Sequence, residues 1–281
     1  TGNITVKLPD GTDLDAKHQV TVIVTDHKKA PQQGKNVAVK GDLGQSAAGK
    51  TDKNGELTVP EVEQTEHHGV YIVGYTDGTF GPSRSMTRSE AAAIFARLLA
   101  EKNSDTISTA ANTKFADIPA HAWYSGYVKY LANNGITYGK SKTIFAPDDA
   151  ITRAEFTTMA VRFFDVYGDG DAEIMEQFSG FNDVSSGYWA AEYIKYAALH
   201  GWINGYGDGS FHADREINRA EVVTIVNRLL GREADEDYIA DNLRKLNTFP
   251  DVTKRHWAYY AVMEAANAHT AVLGENESWS K

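Results

Sequence analysis

The chain contains no cysteine, which excludes a disulfide framework and thiolate metal sites. It also lacks any apolar run near the roughly 18 residues that a membrane-spanning helix needs. Positive charge is in the minority, because 28 Lys and Arg stand against 38 Asp and Glu for a net charge of −10. This balance disfavours nucleic acid or anionic lipid as a partner of the whole surface, so an acidic ligand would need a local basic pocket.

The start of the chain, TGNITVKL, lacks a charged and then apolar leader. We therefore interpret the sequence as a mature or excised fragment, whose export has to be inferred from other features.

Internal repetition is the strongest signal in the sequence. One half-motif places Phe, then Asp two residues later, then Trp six residues after the Asp, and its copies begin at Phe115, Phe181 and Phe249. A second half-motif begins with Gly, reaches Phe six residues on, and ends in Thr or Asn followed by Arg and, two residues further, Glu. Its copies are GYTDGTFGPSRSMTRSE from Gly74, GKSKTIFAPDDAITRAE from Gly139 and GYGDGSFHADREINRAE from Gly205.

The order of the halves predicts a ring. The opening copy lacks a leading partner and the closing copy lacks a trailing one, so three complete pairs form only if the ends meet. A helix after Trp257 that packs beside the unit starting at Gly74 would bury both orphan faces better than an open stack. Each half also predicts a helix, with Gly135 and Gly201 at the positions expected for C-terminal caps.

Residues 1–66 have a different pattern, in which alternating apolar residues such as Val20, Val22 and Val24 predict short strands. The segment resembles bacterial immunoglobulin-like or carboxypeptidase-regulatory-like β-sandwich modules and is interpreted as a spacer. The predicted fold class is α+β multidomain, a small β-sandwich followed by a mainly helical pseudo-threefold domain closed by the C-terminal helix. The predicted units are 1–66, 67–138, 139–204 and 205–281.

The segments TRSE, TRAE and NRAE are typical of capping boxes, in which a Thr or Asn and the Glu three residues later bind each other's backbone N–H. Capping does not explain the Arg between them, at Arg88, Arg153 and Arg219. A cation in the first helical turn is mildly disfavoured by the helix dipole. Beside free N–H groups, however, an Arg is a good receptor for a carboxylate or phosphate, so we favour a ligand-binding role.

Three further sets of residues recur with the motifs. The Trp residues are either core anchors or platforms for the apolar face of a sugar ring, and the sequence leaves both open. The Asp residues more naturally tie the loops than react, because no His or second carboxylate keeps a matching spacing. The loop glycines could turn backbone N–H groups toward a ligand. These sets are Trp123, Trp189 and Trp257; Asp117, Asp183 and Asp251; and Gly74, Gly139 and Gly205.

Histidines do not form a metal-binding pattern in the sequence. His67 and His68 have no companion at a useful ligand spacing. We therefore predict neither a metal nor a cofactor.

The half-motifs F-x-D-V/I followed by W, then G-Y-x-D-G-x-F, then T-R-A-E resemble the S-layer homology family over residues from about 70 to 270. The resemblance implies a pseudo-threefold helical domain with grooves between repeats that bind secondary cell-wall polysaccharide, often bearing ketal-linked pyruvate. Carried over by position, the Arg, Trp, Asp and Gly sets above would line these grooves, with Arg facing the pyruvate carboxylate.

Departures from the motif predict unequal grooves. The second loop reads GKSKTIF and lacks the Tyr and the Asp-Gly, and the third capping residue is Asn218. His269 stands where the other copies have Gly. We expect the groove at Gly139 to be the weakest.

The resemblance implies a non-catalytic module, secreted to the cell wall or S-layer surface of a bacterium and monomeric as this fragment. It would bind an acidic cell-wall glycan, without membrane insertion or nucleic acid. A lattice or adhesin component that acts through protein contacts and a receptor for a wall-linked polyamine are alternatives. A wall hydrolase is a further alternative, although caps and loops account for the recurring carboxylates that it would need.

Overall fold

The computed structural model describes residues 65–108, 110–167, 178–272 and 278–280, with five strands and the positions 33 and 53–54 nearer the N-terminus. These residues fall into two compact units, a first of 1–67 with 270–281 and a second of 68–269. The segment 270–281, which the repeat pattern assigns to the third repeat, thus groups with the N-terminal residues.

The first unit is built from strands. They are β1 (Asn3–Lys7), β2 (Thr21–Thr25), β3 (Asn36–Lys40), β4 (Ser46–Lys50), β5 (Glu56–Thr58), β6 (Thr65–His68), β7 (His269–Val272) and β8 (Ser278–Ser280). β2 pairs with β1 and β5, β3 pairs with β4, and β6, β7 and β8 form a third sheet in that order. The packing of such sheets into a sandwich stays a prediction.

The second unit is helical. Its helices are α1 (Arg88–Asn103), α2 (Ser125–Asn133), α3 (Arg153–Tyr167), α4 (Ala191–Leu199), α5 (Arg219–Leu230), α6 (Glu236–Asn242) and α7 (Tyr259–Ala266), with a 3-10 helix at Leu243–Lys245. The longer helices α1, α3 and α5 pack on α2, α4 and α7 respectively, and α3 also contacts α1 and α5. Among the described residues, no helix has the length and hydropathy to cross a membrane.

The closing helix α7 packs on α5. It reaches the first repeat through the backbone, where the N–H of Tyr71 donates to the carbonyl of Ala265 at 3.3 Å.

The predicted capping boxes are confirmed. The Thr87 hydroxyl accepts from the N–H of Glu90 at the start of α1, and the Glu90 carboxylate accepts from the N–H of Thr87. Asn218 and Glu221 form the same pair at α5, and Thr152 and Glu155 form it at α3. The cap glycines after α2 and α4 have φ of 75° at Gly135 and 69° at Gly201, as the sequence predicts.

A closed ring of three backbone hydrogen bonds joins the residues that precede the three caps. The N–H of Met86 donates to Ile217, that of Ile217 to Ile151, and that of Ile151 back to Met86, at 2.9, 3.0 and 2.9 Å. All three side chains are fully buried. Each repeat therefore supplies one donor and one acceptor, and none of the three hydrogen bonds lies within a single repeat.

Candidate functional site

One arrangement of side chains occurs three times in the helical unit. It combines a loop that begins at glycine, an Asp that accepts from backbone N–H groups of the loop, and an Arg whose Nε donates to the carbonyl of the loop Phe. We name the copies the Gly74 site, with Asp251 and Arg219; the Gly139 site, with Asp117 and Arg88; and the Gly205 site, with Asp183 and Arg153. Each site combines residues from separate stretches of the chain, and the Gly74 site joins a stretch near the start of the helical unit to one near its end.

The three aspartates tie the loops. Asp251 accepts from the N–H groups of Phe80 at 2.9 Å and Gly81 at 2.7 Å, across 171 and 170 positions of sequence. Asp117 and Asp183 make the equivalent pairs of bonds to their own loops. Bonds from N–H groups to an ionised carboxylate are among the stronger hydrogen bonds of proteins, so the carboxylates are engaged in holding the loops.

The protonation of Asp183 reflects these bonds. Desolvation raises the pKa of this carboxyl, but the backbone N–H groups of Phe211 and His212 outweigh it and lower the pKa overall.

The three arginines are buried, each with 4% of its surface exposed. Each Nε donates at 2.8 Å to a loop carbonyl, from Arg88 to Phe145, from Arg153 to Phe211 and from Arg219 to Phe80. Burial also lowers the pKa of Arg153 and of Arg219. These arginines join one repeat to the next.

The helix N-termini are not free, contrary to the expectation from sequence. The N–H of Arg88 donates to Asp149, that of Arg153 to Arg215, and that of Arg219 to Arg84, at 3.0, 2.8 and 3.0 Å. Because carbonyls of the adjacent repeat occupy these donors, any anion at these sites must be held by side chains.

The three tryptophans lie on the surface. Trp123, Trp189 and Trp257 are 53%, 58% and 65% exposed, so they are not core anchors. In the Gly205 site the Tyr188 ring lies next to Trp189 and lines a cleft with Asp183, His212 and Arg215. An exposed indole beside a polar cleft has the form of a platform for a sugar ring.

The loop glycines are required by packing. A Cβ at Gly74, Gly139 or Gly205 would lie 2.5 Å from the Phe ring that precedes the site's Asp, and within 3.0 Å of a loop carbonyl. Gly139 also has a φ of 80°. Close approach of the Phe ring, which the repeat spacing did not reveal, therefore explains these glycines.

The sites differ in how the buried Arg is neutralised. Arg88 forms an ion pair with Glu155 at 3.3 Å, and Arg153 forms one with Glu221 at 3.2 Å. Arg219 makes no ion pair within 4.0 Å among the described residues, and its Nη2 donates to the carbonyl of Val73 at 2.6 Å. The Gly74 site thus retains a cation without a carboxylate in contact.

A second charged position, three residues before each helix cap, also differs. In the Gly74 site it is Arg84, which stacks 4.0 Å from the centroid of Tyr75. In the Gly205 site it is Arg215, which contacts Tyr206 and Glu221. In the Gly139 site it is Asp149, 3.1 Å from Lys140, so an acid stands where the other sites have a base.

The structure contains one cluster of ionisable side chains that the sequence did not predict. His68, Glu264 and His269 are brought together in the buried interior, with ligand atoms within 4.8 Å of one another. The sequence interpretation considered spacing along the chain, in which His68 has no companion, whereas its two neighbours in space lie about 200 positions away. The one signal in the sequence was His269 itself, a His at a position where the other two repeats have Gly.

Comparison with known proteins gives matches over most of the chain. The family model of the S-layer homology domain matches residues 60–92, 114–157 and 180–223. "Cell surface glycoprotein 1" of Acetivibrio thermocellus is 34% identical over 218 residues, which are 75% of this chain and 9% of that protein. The "Cellulosome-anchoring protein" of the same organism is 31% identical over 234 residues, which are 82% of this chain and 49% of that protein.

A third relative, an "S-layer protein" of Bacillus licheniformis, is 29% identical over 155 residues, 55% of this chain and 17% of that protein. The chain therefore spans at most about half the length of these relatives. Each of the matched segments 60–92, 114–157 and 180–223 contains one copy of the half-motif that begins at Gly74, Gly139 or Gly205, and these segments belong to the S-layer homology domain family.

Proposed function

We propose that this chain anchors a bacterial surface protein to the cell wall by holding a wall glycan without covalent bonds. The S-layer homology repeats and relatives named as a surface glycoprotein, a cellulosome-anchoring protein and an S-layer protein support a place on the cell surface. The exposed Trp six residues after each loop-tying Asp is the observation that carries the proposal. A rigid aromatic face on the surface, next to charged groups, suits a sugar ring that bears a polar substituent.

The substituent is acidic, and a pyruvate ketal on an amino sugar has the required carboxylate. The Gly74 site suits it best, because Arg84 and Arg219 both stack on Tyr75 and neither is paired with a carboxylate among the described residues. Arg219 is nearly inaccessible, so Arg84 would make the contact and Arg219 would contribute positive potential.

The role is binding and not catalysis. Hydrolysis of a glycoside needs two carboxyl groups that face the scissile bond. The recurring carboxylates already bind other groups. The loop N–H groups are bound by Asp117, Asp183 and Asp251. The buried arginines Arg88 and Arg153 are paired with Glu155 and Glu221.

The proposal is tested by sedimentation of the full chain with purified bacterial cell walls that carry a pyruvylated secondary polymer. The triple variant Trp123→Ala, Trp189→Ala, Trp257→Ala removes the three platforms, and the exposed position of the indoles leaves the core intact. We expect wall affinity to fall by at least about tenfold, since loss of several weak contacts also removes avidity. Variant Leu243→Ala, which truncates an exposed apolar side chain outside the three sites, is the matched control and should bind as wild type.

Walls stripped of the secondary polymer by acid, and walls with the polymer but without its pyruvate, separate the parts of the proposal. Equal binding to stripped walls, or full binding by the triple Trp variant, would overturn glycan anchoring. Unchanged binding to pyruvate-free walls would overturn the acidic substituent alone. Assembly of the chain in the absence of glycan would favour the lattice alternative.

A further inference from the structure

The cluster of His68, Glu264 and His269 is buried within the helical unit. Its side chains are 4%, 0% and 2% exposed. Nδ1 of His68 lies 3.2 Å from Nε2 of His269. Oε1 of Glu264 is 3.5 Å from the first of these nitrogens, and Oε2 is 3.3 Å from the second.

These separations suit a tetrahedral metal. Zinc binds imidazole nitrogen and carboxylate oxygen at about 2.0–2.1 Å, and ligands at the corners of a tetrahedron of that size are about 3.3–3.4 Å apart. The two nitrogens are separated by about that edge length, and each carboxylate oxygen lies at about the same distance from one of them. One ligand atom from each of the three residues lies within 4.8 Å of the other two. Two His and one Glu are also a donor set that zinc takes in proteins.

The second nitrogen of His269 has the contact that orients a metal-binding imidazole. Its Nδ1 is 3.0 Å from the backbone carbonyl of Asn267, which can only accept, so the ring proton sits on Nδ1. Nε2 therefore turns a lone pair toward the cluster. A backbone carbonyl behind a ligating His is the usual second contact in zinc sites, where it fixes the tautomer and the ring orientation.

The carboxylate of Glu264 needs a positive partner. Neither of its oxygens makes a hydrogen bond, and no Lys or Arg forms an ion pair with it within the described part of the chain. A buried carboxylate is strongly destabilising unless it is paired or coordinates a metal. The remaining candidates for that charge are a protonated imidazole or a cation held between the three side chains.

We propose that His68, Glu264 and His269 form a structural zinc site. Nδ1 of His68, Nε2 of His269 and one carboxylate oxygen of Glu264 are the protein ligands. The site goes beyond wall binding and does not depend on it.

The site fastens the start of the helical unit to its end. His68 opens the unit and His269 closes it, 201 positions later. The nearby bond from the Tyr71 N–H to Ala265 and the tie from Asp251 to Phe80 close the ring between the same two stretches. Because zinc binds the folded arrangement, it stabilises the closed ring by a free energy that rises with the logarithm of the free zinc concentration.

The test uses the full chain, unfolded and refolded with a chelator and then titrated with Zn²⁺. We expect one tightly bound ion per chain by calorimetry and a melting temperature that rises with Zn²⁺ concentration. Variant Glu264→Gln, which keeps the shape of the side chain, should weaken Zn²⁺ binding by more than about 100-fold. That loss exceeds the roughly 10- to 100-fold loss that is typical when a residue that only orients a metal ligand is changed. Variant His121→Ala, which removes an exposed His, should bind Zn²⁺ as wild type.

Substitution of wild type with Co²⁺ gives a readout that does not require any variant to fold. Visible absorption bands of tetrahedral Co²⁺, displaced by one equivalent of Zn²⁺, are expected. Octahedral Co²⁺ spectra with no thermal shift, or zinc binding that survives Glu264→Gln unchanged, would overturn the site and leave a protonated His–Glu pair as the source of the missing charge.

Discussion

The Gly139 site and the Gly74 site share a scaffold but differ in charge. In both, an Asp holds two loop N–H groups and a buried Arg holds the loop Phe carbonyl. In the Gly139 site the residue three positions before the helix cap is an acid, Asp149, and the buried Arg88 forms an ion pair with Glu155. In the Gly74 site the same position is Arg84, and the buried Arg has no carboxylate in contact.

The comparison indicates that some residues of the motif hold the fold together, while others determine the charge that a ligand would meet. The groups that tie repeats together are the same in all three copies, since each closes a joint of the ring. The charged residue three positions before each cap varies between the sites, and its side chain is exposed in all three. Three equal scaffolds can therefore carry unequal affinities for an acidic ligand.

The largest effect is expected from changing the loop glycines. In Gly139→Ala the new Cβ would lie 2.5 Å from the Ile144 carbonyl oxygen, in a backbone of positive φ. Overpacking and left-handed strain together should lower the free energy of unfolding by about 4 kcal/mol. Gly74→Ala meets the same Phe contact without the φ penalty and should cost about 2 kcal/mol. Chemical denaturation of both variants measures the difference, and equal losses would show that φ is not limiting in this loop.

Substitution of the charged residue three positions before the helix cap should change the affinity of the chain for cell walls. Arg84→Glu is expected to weaken wall binding about tenfold, or about 1.4 kcal/mol, because it reverses the exposed charge at the most positive site. Asp149→Arg gives the Gly139 site the residue that its two counterparts have and should strengthen binding by a smaller factor. Wall titrations at two salt concentrations report both, and the gain should shrink at high salt. No response to either exchange would contradict the ranking of the sites.

The smallest effect concerns acid stability in the Gly205 site. The pKa of Asp183 is lowered in the folded protein, so its contribution is present above the unfolded pKa and is lost as pH falls through the folded value. Wild type should thus be more stable than Asp183→Asn at neutral pH, and the gap should narrow below about pH 4. Denaturation curves from pH 3 to 7 measure it, with Asp165→Asn on the exposed face of α3 as control. A gap that is constant with pH would contradict the linkage.

Much of the fold could be predicted from local patterns. The capping boxes follow from residues three positions apart, and the cap glycines at Gly135 and Gly201 follow from helix ends, so both were confirmed. The order of half-motifs indicated that the chain ends should meet, but not which helix would pack on α7.

The roles of site residues depended on distant partners and could not be read locally. Nothing near Arg219 in sequence indicates that its Nε binds the carbonyl of Phe80, 139 positions away. Exposure of the Trp residues was undetermined, because a large ring after a loop suits both the core and the surface. The partners of His68 lie on two other elements, Glu264 in α7 and His269 in β7, and the only indication in the sequence was the unusual His269.

The ring of backbone bonds among Met86, Ile151 and Ile217 limits how such a protein can change in length. An open stack of repeats can gain or lose one unit, since each unit needs only its neighbours. Here every repeat donates to one partner and accepts from the other, so removing or inserting a repeat leaves a buried donor and acceptor without a match. The three repeats therefore depend on one another for these buried hydrogen bonds, and deletion of any one of them is expected to destabilise the other two.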